Sequence, residues 1–184
     1  MILPIVLYGN SILREKAKKV PLKANINQLV FDMLETMHAA NGVGLAAPQV
    51  NQCLRLFVVD ISTHSDCVDI ENNAKMVMIN PIVRLDHKEE TSLYSEGCLS
   101  IPSVMIDVPR KENITVAYFD ELWQKKKIQL KGFAARVVLH EYDHLNGVLH
   151  IDYASKKVLK SFEKNLADIK TCKVSTEYKI LKHC

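Results

Sequence analysis

The feature that most constrains this fold is an apolar stretch, residues 133–146, that also contains two histidines, a glutamate and an aspartate. It reads FAARVVLHEYDHLN. The apolar residues fall on nearly every side of a helix, which predicts a buried helix. Ionisable side chains are costly to bury unless another group satisfies them. The stretch therefore predicts a helix that carries a functional polar cluster into the interior.

The spacing HExxH within this stretch indicates a metal site. His140 and His144 are four residues apart and project from one helical face, as two imidazoles on one ion require. Glu141 lies near the same opening, where it can take a proton from an activated water. A catalytic ion normally has three protein ligands, so a third must come from elsewhere.

The residues alone leave four candidates for the third ligand: His150, Glu163, Asp152 and Cys98. His150 completes HExxHxxGxxH, a zinc endopeptidase pattern that comes with a later methionine, but the last methionine here is Met105. Glu163 has lysine neighbours typical of a surface helix, and Asp152 belongs to no motif. Cys98 lies in SEGCLSIP, although a lone cysteine beside a strand is more often a small core residue.

The remaining pattern predicts a single α+β domain over 1–184, with mostly antiparallel strands packed around the buried helix that carries HExxH. Helix 26–40 has one apolar stripe, with Asn25 or Asn27 as its cap and Asn41-Gly42 as its stop. Helix 155–168 is predicted at the surface, with Val158, Leu159, Phe162 and Leu166 facing inward. Predicted strands are 54–61, 75–80, 114–119, 127–130 and a short edge strand at 173–181. Segment 42–49 is predicted to be irregular, and 62–74 a surface loop.

Composition excludes several classes of protein. Apolar residues make up 48% and charged residues 24%, with a net charge of +3, as in ordinary soluble globular proteins. The 5 cysteines contain no CxxC pair, which argues against a disulfide framework and for a reducing cytoplasm. The first ten residues lack a basic segment, and no apolar run is long enough for a membrane span. We expect a cytoplasmic protein without a membrane segment.

Three motifs in order resemble those of the peptide deformylases. They are GVGLAAPQ at 42–49, EGCLS at 96–100 and HEYDH at 140–144, and the N-terminal YGNSILREKA is also similar. The resemblance covers most of the chain and argues against the endopeptidase interpretation. It implies a metal-dependent hydrolase that removes the formyl group from the N-formylmethionine of nascent polypeptides and releases formate.

Carried over motif by motif, the resemblance also implies roles for individual residues. The metal ligands are Cys98, His140 and His144. Glu141 is general base and then general acid as a metal-activated water attacks the formyl carbon, and Gln49 and the Leu99 N–H hold the oxyanion. The implied metal is Fe²⁺, for which Ni²⁺, Co²⁺ or Zn²⁺ can substitute.

Further residues are candidates for substrate binding or for support of the site. Val43, Gly44, Leu99 and Val137 are candidates for an apolar pocket that takes the methionine side chain. Arg110 is expected to pair with Asp143. The chain departs from the family pattern at three positions, which are Leu139, Asn51 and Met105.

The region 153–184 is expected to be a variable C-terminal extension of helix and strand. Its basic face consists of Lys156, Lys157, Lys160, Lys164 and Lys170. A solvated helix surface is the favoured interpretation, with contact to ribosomal RNA as the alternative. The sequence leaves the oligomeric state open.

Overall fold

The computed structural model describes residues 1–62, 74–85 and 90–182. The strands are β1 (Ile5–Val6), β2 (Gly44–Ala46), β3 (Leu56–Asp60), β4 (Lys75–Leu85), β5 (Thr91–Cys98), β6 (Ile101–Lys111), β7 (Asn113–Phe119), β8 (Lys125–Lys131) and β9 (Ile180–Leu181). The α-helices are α1 (Asn27–Ala39), α2 (Gly132–His144), α3 (Lys156–Ser161) and α4 (Glu163–Lys170). Short 3₁₀ turns cover Ser11–Arg14, Ala47–Val50 and His150–Tyr153.

The strands form three sheets. The largest has the order β2-β3-β4-β7-β8, and every neighbouring pair in it is antiparallel. β5 and β6 form a separate antiparallel pair, while β1 and β9 pair in parallel. The prediction of helices combined with antiparallel sheets is confirmed.

Helix α2 packs against the large sheet and against β6. Its buried residues Ala134, Ala135, Val138 and Leu139 join a core formed by the inner face of β3, β4 and β7. The two histidines of HExxH lie in the second half of this helix. The packing of the helix in the core therefore fixes where their side chains lie. Among the described residues, no helix is long and apolar enough to cross a membrane.

Helix α1 follows its apolar stripe, since Val30, Met33 and Met37 are buried. The predicted asparagine cap is wrong. The residue at the cap position is Ile26, and its side chain makes no capping hydrogen bond. The helix ends as expected, because Asn41 adopts a φ of 54° and breaks the helical path.

The interpretation of segment 42–49 as irregular is wrong. Gly44 pairs with Val59 and Ala46 with Phe57, so β2 forms an edge of the large sheet. Residues Ala47–Val50 then form a 3₁₀ turn with proline at its start. Strand pairing across the chain therefore overrides the local signal of glycine and proline.

Three other element predictions need correction. β4 continues from Lys75 to Leu85 rather than stopping at Asn80, because a register shift between Ile79 and Ile82 absorbs the break at Pro81. The predicted helix 155–168 is two helices that meet at Phe162, and Val158 is exposed rather than inward. Within 173–181 only Ile180–Leu181 is strand. Of the predicted loop 62–74, residues 63–73 lie outside the described residues.

Candidate metal centre

The fold brings three potential metal ligands together. The ligand atoms of Cys98, His140 and His144 all lie within 4.8 Å of one another. Cys98 Sγ is 3.2 Å from His144 Nε2, and the two imidazole rings are 5.1 Å apart between centroids. Cys98 ends β5 at a register shift after Glu96, which turns its side chain towards α2.

Glu96 orients His140 within this cluster. His140 Nδ1 lies 3.0 Å from Glu96 Oε2, and because a carboxylate can only accept, this nitrogen carries the proton. Nε2 is then left to face Cys98 and His144, the arrangement seen where a second residue fixes a metal-binding imidazole. Glu96 was not predicted to have a role, although its position in EGCLS is a signal for one.

Glu96 is itself held by two arginines. Arg110 donates from Nε and Nη2 to its two oxygens at 2.8 Å, and Arg136 Nη1 donates to Oε1 at 2.8 Å. Burial raises the pKa of the Glu96 carboxyl, but hydrogen bonds from Arg110 and His140 outweigh it and lower the pKa to about 2. Arg110 also donates to Asp143 at 2.7 Å, which is the pairing expected from the sequence.

Glu141 lies on helix α2 between His140 and His144, and one of its carboxylate oxygens can accept a proton. It is 4% exposed, and its Oε2 has no hydrogen-bond partner among the described residues. Burial raises the pKa of its carboxyl to about 7, against the opposing effect of His140 and His144. A carboxyl with a pKa near neutrality is suited to accept and return a proton.

Cys98 favours the thiolate form that binds metals. Burial raises the pKa of its thiol, but His144 and His140 outweigh burial and hold that pKa well below its usual value. Conversely, burial lowers the pKa of His140, whereas hydrogen bonds to Cys98 and Glu96 raise it well above its usual value. A thiolate beside two imidazoles is a donor set that suits a transition-metal ion.

Gln49 points its amide N–H₂ group into the site. Its Oε1 accepts from the Ala46 N–H at 2.8 Å, which fixes the orientation of the amide. Its Nε2 lies 3.3 Å from Ser100 Oγ and 3.6 Å from Cys98 Sγ. Two donor hydrogens therefore lie beside the cluster of potential metal ligands in a residue that is 1% exposed.

A cleft of about 460 Å³ opens onto this cluster. The four residues expected to form a pocket all line it: Val43, Gly44, Leu99 and Val137. Phe133, Pro102 and Tyr178 line it as well and were not anticipated. Gly44 leaves room for the Glu141 carboxylate, because a Cβ atom there would lie 2.8 Å from Glu141 Cδ.

The other candidate ligands lie outside the three-residue cluster, although the His150 ring is 5.9 Å from the His140 ring between centroids. His150 is 1% exposed, its Nε2 lies 3.2 Å from the Val104 carbonyl oxygen, and it is not in the cluster of potential ligands. Asp152 accepts two hydrogen bonds from Arg14. Glu163 is exposed at the start of α4.

The three residues expected to depart from the family pattern have different surroundings. Asn51 adopts a φ of 61°, a left-handed conformation that asparagine tolerates better than most residues. Met105 packs its sulfur over Gly97, where a Cβ atom would lie 2.8 Å away. Leu139 is 7% exposed and joins the apolar core.

Comparisons with known proteins agree with these motifs. A family model described as polypeptide deformylase matches residues 2–160. A peptide deformylase of Christiangramia forsetii is 40% identical over 188 aligned residues, covering 98% of this chain and 95% of that protein.

Solved structures give the same picture. The crystal structure of a Thermus thermophilus peptide deformylase has a TM-score of 0.82 and 37% identity, covering 92% of this chain and 98% of that one. A Synechococcus elongatus peptide deformylase in complex with actinonin has a TM-score of 0.78 and 35% identity, covering 89% of this chain and 85% of that one. This chain therefore belongs to the peptide deformylase family of hydrolases.

Proposed function

We propose that this enzyme removes the formyl group from the N-formylmethionine that begins nascent polypeptides, releasing formate. The observation that carries the proposal is the Cys98, His140 and His144 cluster in a cleft, beside a Glu141 Oε2 that no described residue hydrogen-bonds. In this proposal, helix α2 is the central element. It carries His140, Glu141 and His144, while β5 carries Cys98. As the cysteine usage predicts, the reaction is proposed to take place in the cytoplasm.

The residues present fit a metal ion. One thiolate and two imidazoles form a three-residue donor set, and Glu96 leaves Nε2 of His140 free for coordination. We propose Fe²⁺, by analogy with the family, with Ni²⁺, Co²⁺ or Zn²⁺ as substitutes. When bound, the ion would supply Lewis-acid chemistry, lowering the pKa of water and polarising a carbonyl oxygen.

Glu141 is proposed to move the proton. Its Oε2 takes a proton from the attacking water and later returns it to the amino nitrogen that leaves with the peptide. The raised pKa of about 7 makes both steps accessible near neutral pH. Gly44 supports this role, since the absence of a side chain there allows the carboxylate its present position.

Gln49 and Leu99 are proposed to hold the oxyanion. As the formyl carbon becomes tetrahedral, its oxygen gains negative charge, which N–H donors stabilise. The Gln49 amide is oriented by the Ala46 N–H, which directs its Nε2 towards Cys98 and Ser100. The Leu99 N–H would be the second donor, on the peptide that follows the ligand Cys98.

The apolar part of the cleft is proposed to bind the methionine side chain. Val43, Gly44, Leu99 and Val137 line this cleft. The formyl carbon carries only hydrogen beyond its carbonyl oxygen and nitrogen, so close packing at the metal end would select formyl over acetyl groups.

The exposed lysines of α3 and α4 remain a candidate contact for ribosomal RNA, which a salt-dependent association with ribosomes would test.

Formate release tests the proposed function. Protein stripped of metal and reloaded anaerobically with Fe²⁺ or Ni²⁺ is given a formyl-Met peptide and the matching acetyl-Met peptide. We expect formate from the first and no acetate from the second, with no activity in the stripped protein. Absence of formate release from fully loaded protein would refute the proposal.

A further inference from the structure

A residue close to the C-terminus reaches the cleft. Tyr178 lines the cleft, and its hydroxyl donates a hydrogen bond of 2.6 Å to the Leu99 carbonyl oxygen. The two residues are 79 positions apart in the sequence, so this contact depends on the fold of the whole chain. Tyr178 belongs to no motif and carried no signal in the sequence.

The backbone around Tyr178 is held on both sides. The Lys179 carbonyl accepts from the Ile5 N–H at 2.8 Å, and Ile180 then pairs with Ile5 in the parallel β1–β9 sheet. On the other side, Thr176 Oγ1 donates to the Tyr178 carbonyl at 2.7 Å. Because Ile5 is completely buried, this anchor is part of the core rather than a loose tail.

The target of Tyr178 is the turn of Leu99 and Ser100 between β5 and β6. The segment that follows β1 also reaches this turn, because the Tyr8 N–H donates to the Ser100 carbonyl at 2.8 Å. Gln49 Nε2 approaches the Ser100 hydroxyl at 3.3 Å. Both carbonyls of the turn and one side chain are therefore held by segments distant in sequence.

We propose that Tyr178 is a positioning residue for the oxyanion donor. By fixing the Leu99 carbonyl, its hydroxyl restricts rotation of the Leu99 backbone and so holds the Leu99 N–H in the direction that the developing oxyanion requires. This inference rests on the proposed function, in which that N–H is a donor. Tyr178 itself does not touch the reacting atoms.

Tyr178→Phe tests the inference because it removes only the hydroxyl. We expect kcat for formyl-Met peptide to fall about tenfold while KM stays within about twofold, because transition-state orientation is lost and substrate binding is retained. Amide hydrogen exchange in peptides spanning residues 97–101 should become faster without metal or substrate. The matched control is Tyr8→Phe, which removes a hydroxyl but keeps the backbone N–H bond to Ser100.

Three outcomes overturn the inference. The first is wild-type kcat together with wild-type exchange in Tyr178→Phe. The second is faster exchange throughout the protein with a lowered Tm, which would show a general structural role. The third is an equal loss of kcat in Tyr8→Phe. Failure of the proposed function is a separate result, because it would appear as no formate release from the loaded wild-type protein.

Discussion

At the scale of single residues, Cys98 and His150 offer competing third ligands for the same pair of histidines. His150 completes the longer sequence pattern, yet its Nε2 lies against the Val104 carbonyl. Cys98 lies forty-two residues before His140, and its Sγ is 3.2 Å from His144 Nε2. Spacing along one helix is visible in a sequence, whereas a ligand from a distant strand is identified only by the motif that surrounds it.

Substitutions of Cys98 and His150 test which of the two is the third metal ligand. Cys98→Ala is expected to weaken binding of Ni²⁺ by about 100-fold or more, because it removes a ligand. Even the loss of a residue that only hydrogen-bonds to a ligand lowers metal affinity by about 10–100-fold. His150→Phe keeps the ring volume and should retain the metal. Bound metal per folded protein is measured at a fixed free Ni²⁺ concentration. Loss of metal from His150→Phe with retention in Cys98→Ala would contradict the ligand set.

Glu96 is expected to make stability depend on pH. Its pKa of about 2 in the folded protein lies below the ordinary value of 4.5, so its stabilisation is fully present above pH 4.5 and is lost as pH falls towards 2. Glu96→Gln should lower the free energy of unfolding at pH 7 by about 3 kcal/mol, since among the described residues it leaves buried Arg136 without a carboxylate partner and Arg110 with Asp143 alone. The difference from wild type should shrink in acid.

Urea unfolding at pH 7 and at about pH 3.5 measures this difference. The control is Glu121→Gln, an exposed residue in the β7–β8 turn, which should change the unfolding free energy by no more than about 0.5 kcal/mol. A Glu96→Gln effect of equal size at both pH values would show that the carboxylate charge is not the cause.

At the scale of elements, the helices and the interior strands could be predicted, and the strands around the site could not. Helix α1 and strand β3 have strong apolar patterns of the right period. β5 exposes its apolar residues Leu93 and Tyr94 and has polar residues on both sides of them, so its pairing with β6 is not visible in its own pattern. β2 exists because β3 pairs with it, despite its glycine.

Strand β2 also sets a steric limit on the site. Gly44→Ala would place a Cβ atom 2.8 Å from Glu141 Cδ and displace the carboxylate. We expect kcat to fall about 100-fold, as small displacements of a catalytic group can cause. Gly42→Ala instead meets Leu99 Cδ1 at 2.8 Å, the end of a flexible side chain, and should cost less.

Steady-state kinetics on metal-loaded variants measures this comparison, with bound metal determined in parallel. The expected order of kcat is wild type, then Gly42→Ala, then Gly44→Ala, at equal metal content. Unchanged kcat in Gly44→Ala would mean that the Glu141 carboxylate does not need its present position.

At the scale of the whole molecule, the site is assembled from four distant parts of the chain. These are the segment from Asn41 to Gln49, the β5–β6 turn, helix α2 and the C-terminal segment at Tyr178. The motifs identify the first three because each has a distinctive local sequence. The fourth arrives through the pairing of β1 with β9, the two ends of the described fold, and no local pattern encodes that closure.

Glu141 is proposed to act as the base beside a metal held by Cys98, His140 and His144. The most direct measurement is formate release from a formyl-Met peptide by Glu141→Ala loaded with Fe²⁺ or Ni²⁺, beside wild type of equal metal content. We predict that kcat falls about 10²- to 10⁴-fold while the metal stays bound. Formate release at the wild-type rate by metal-loaded Glu141→Ala would contradict the claim.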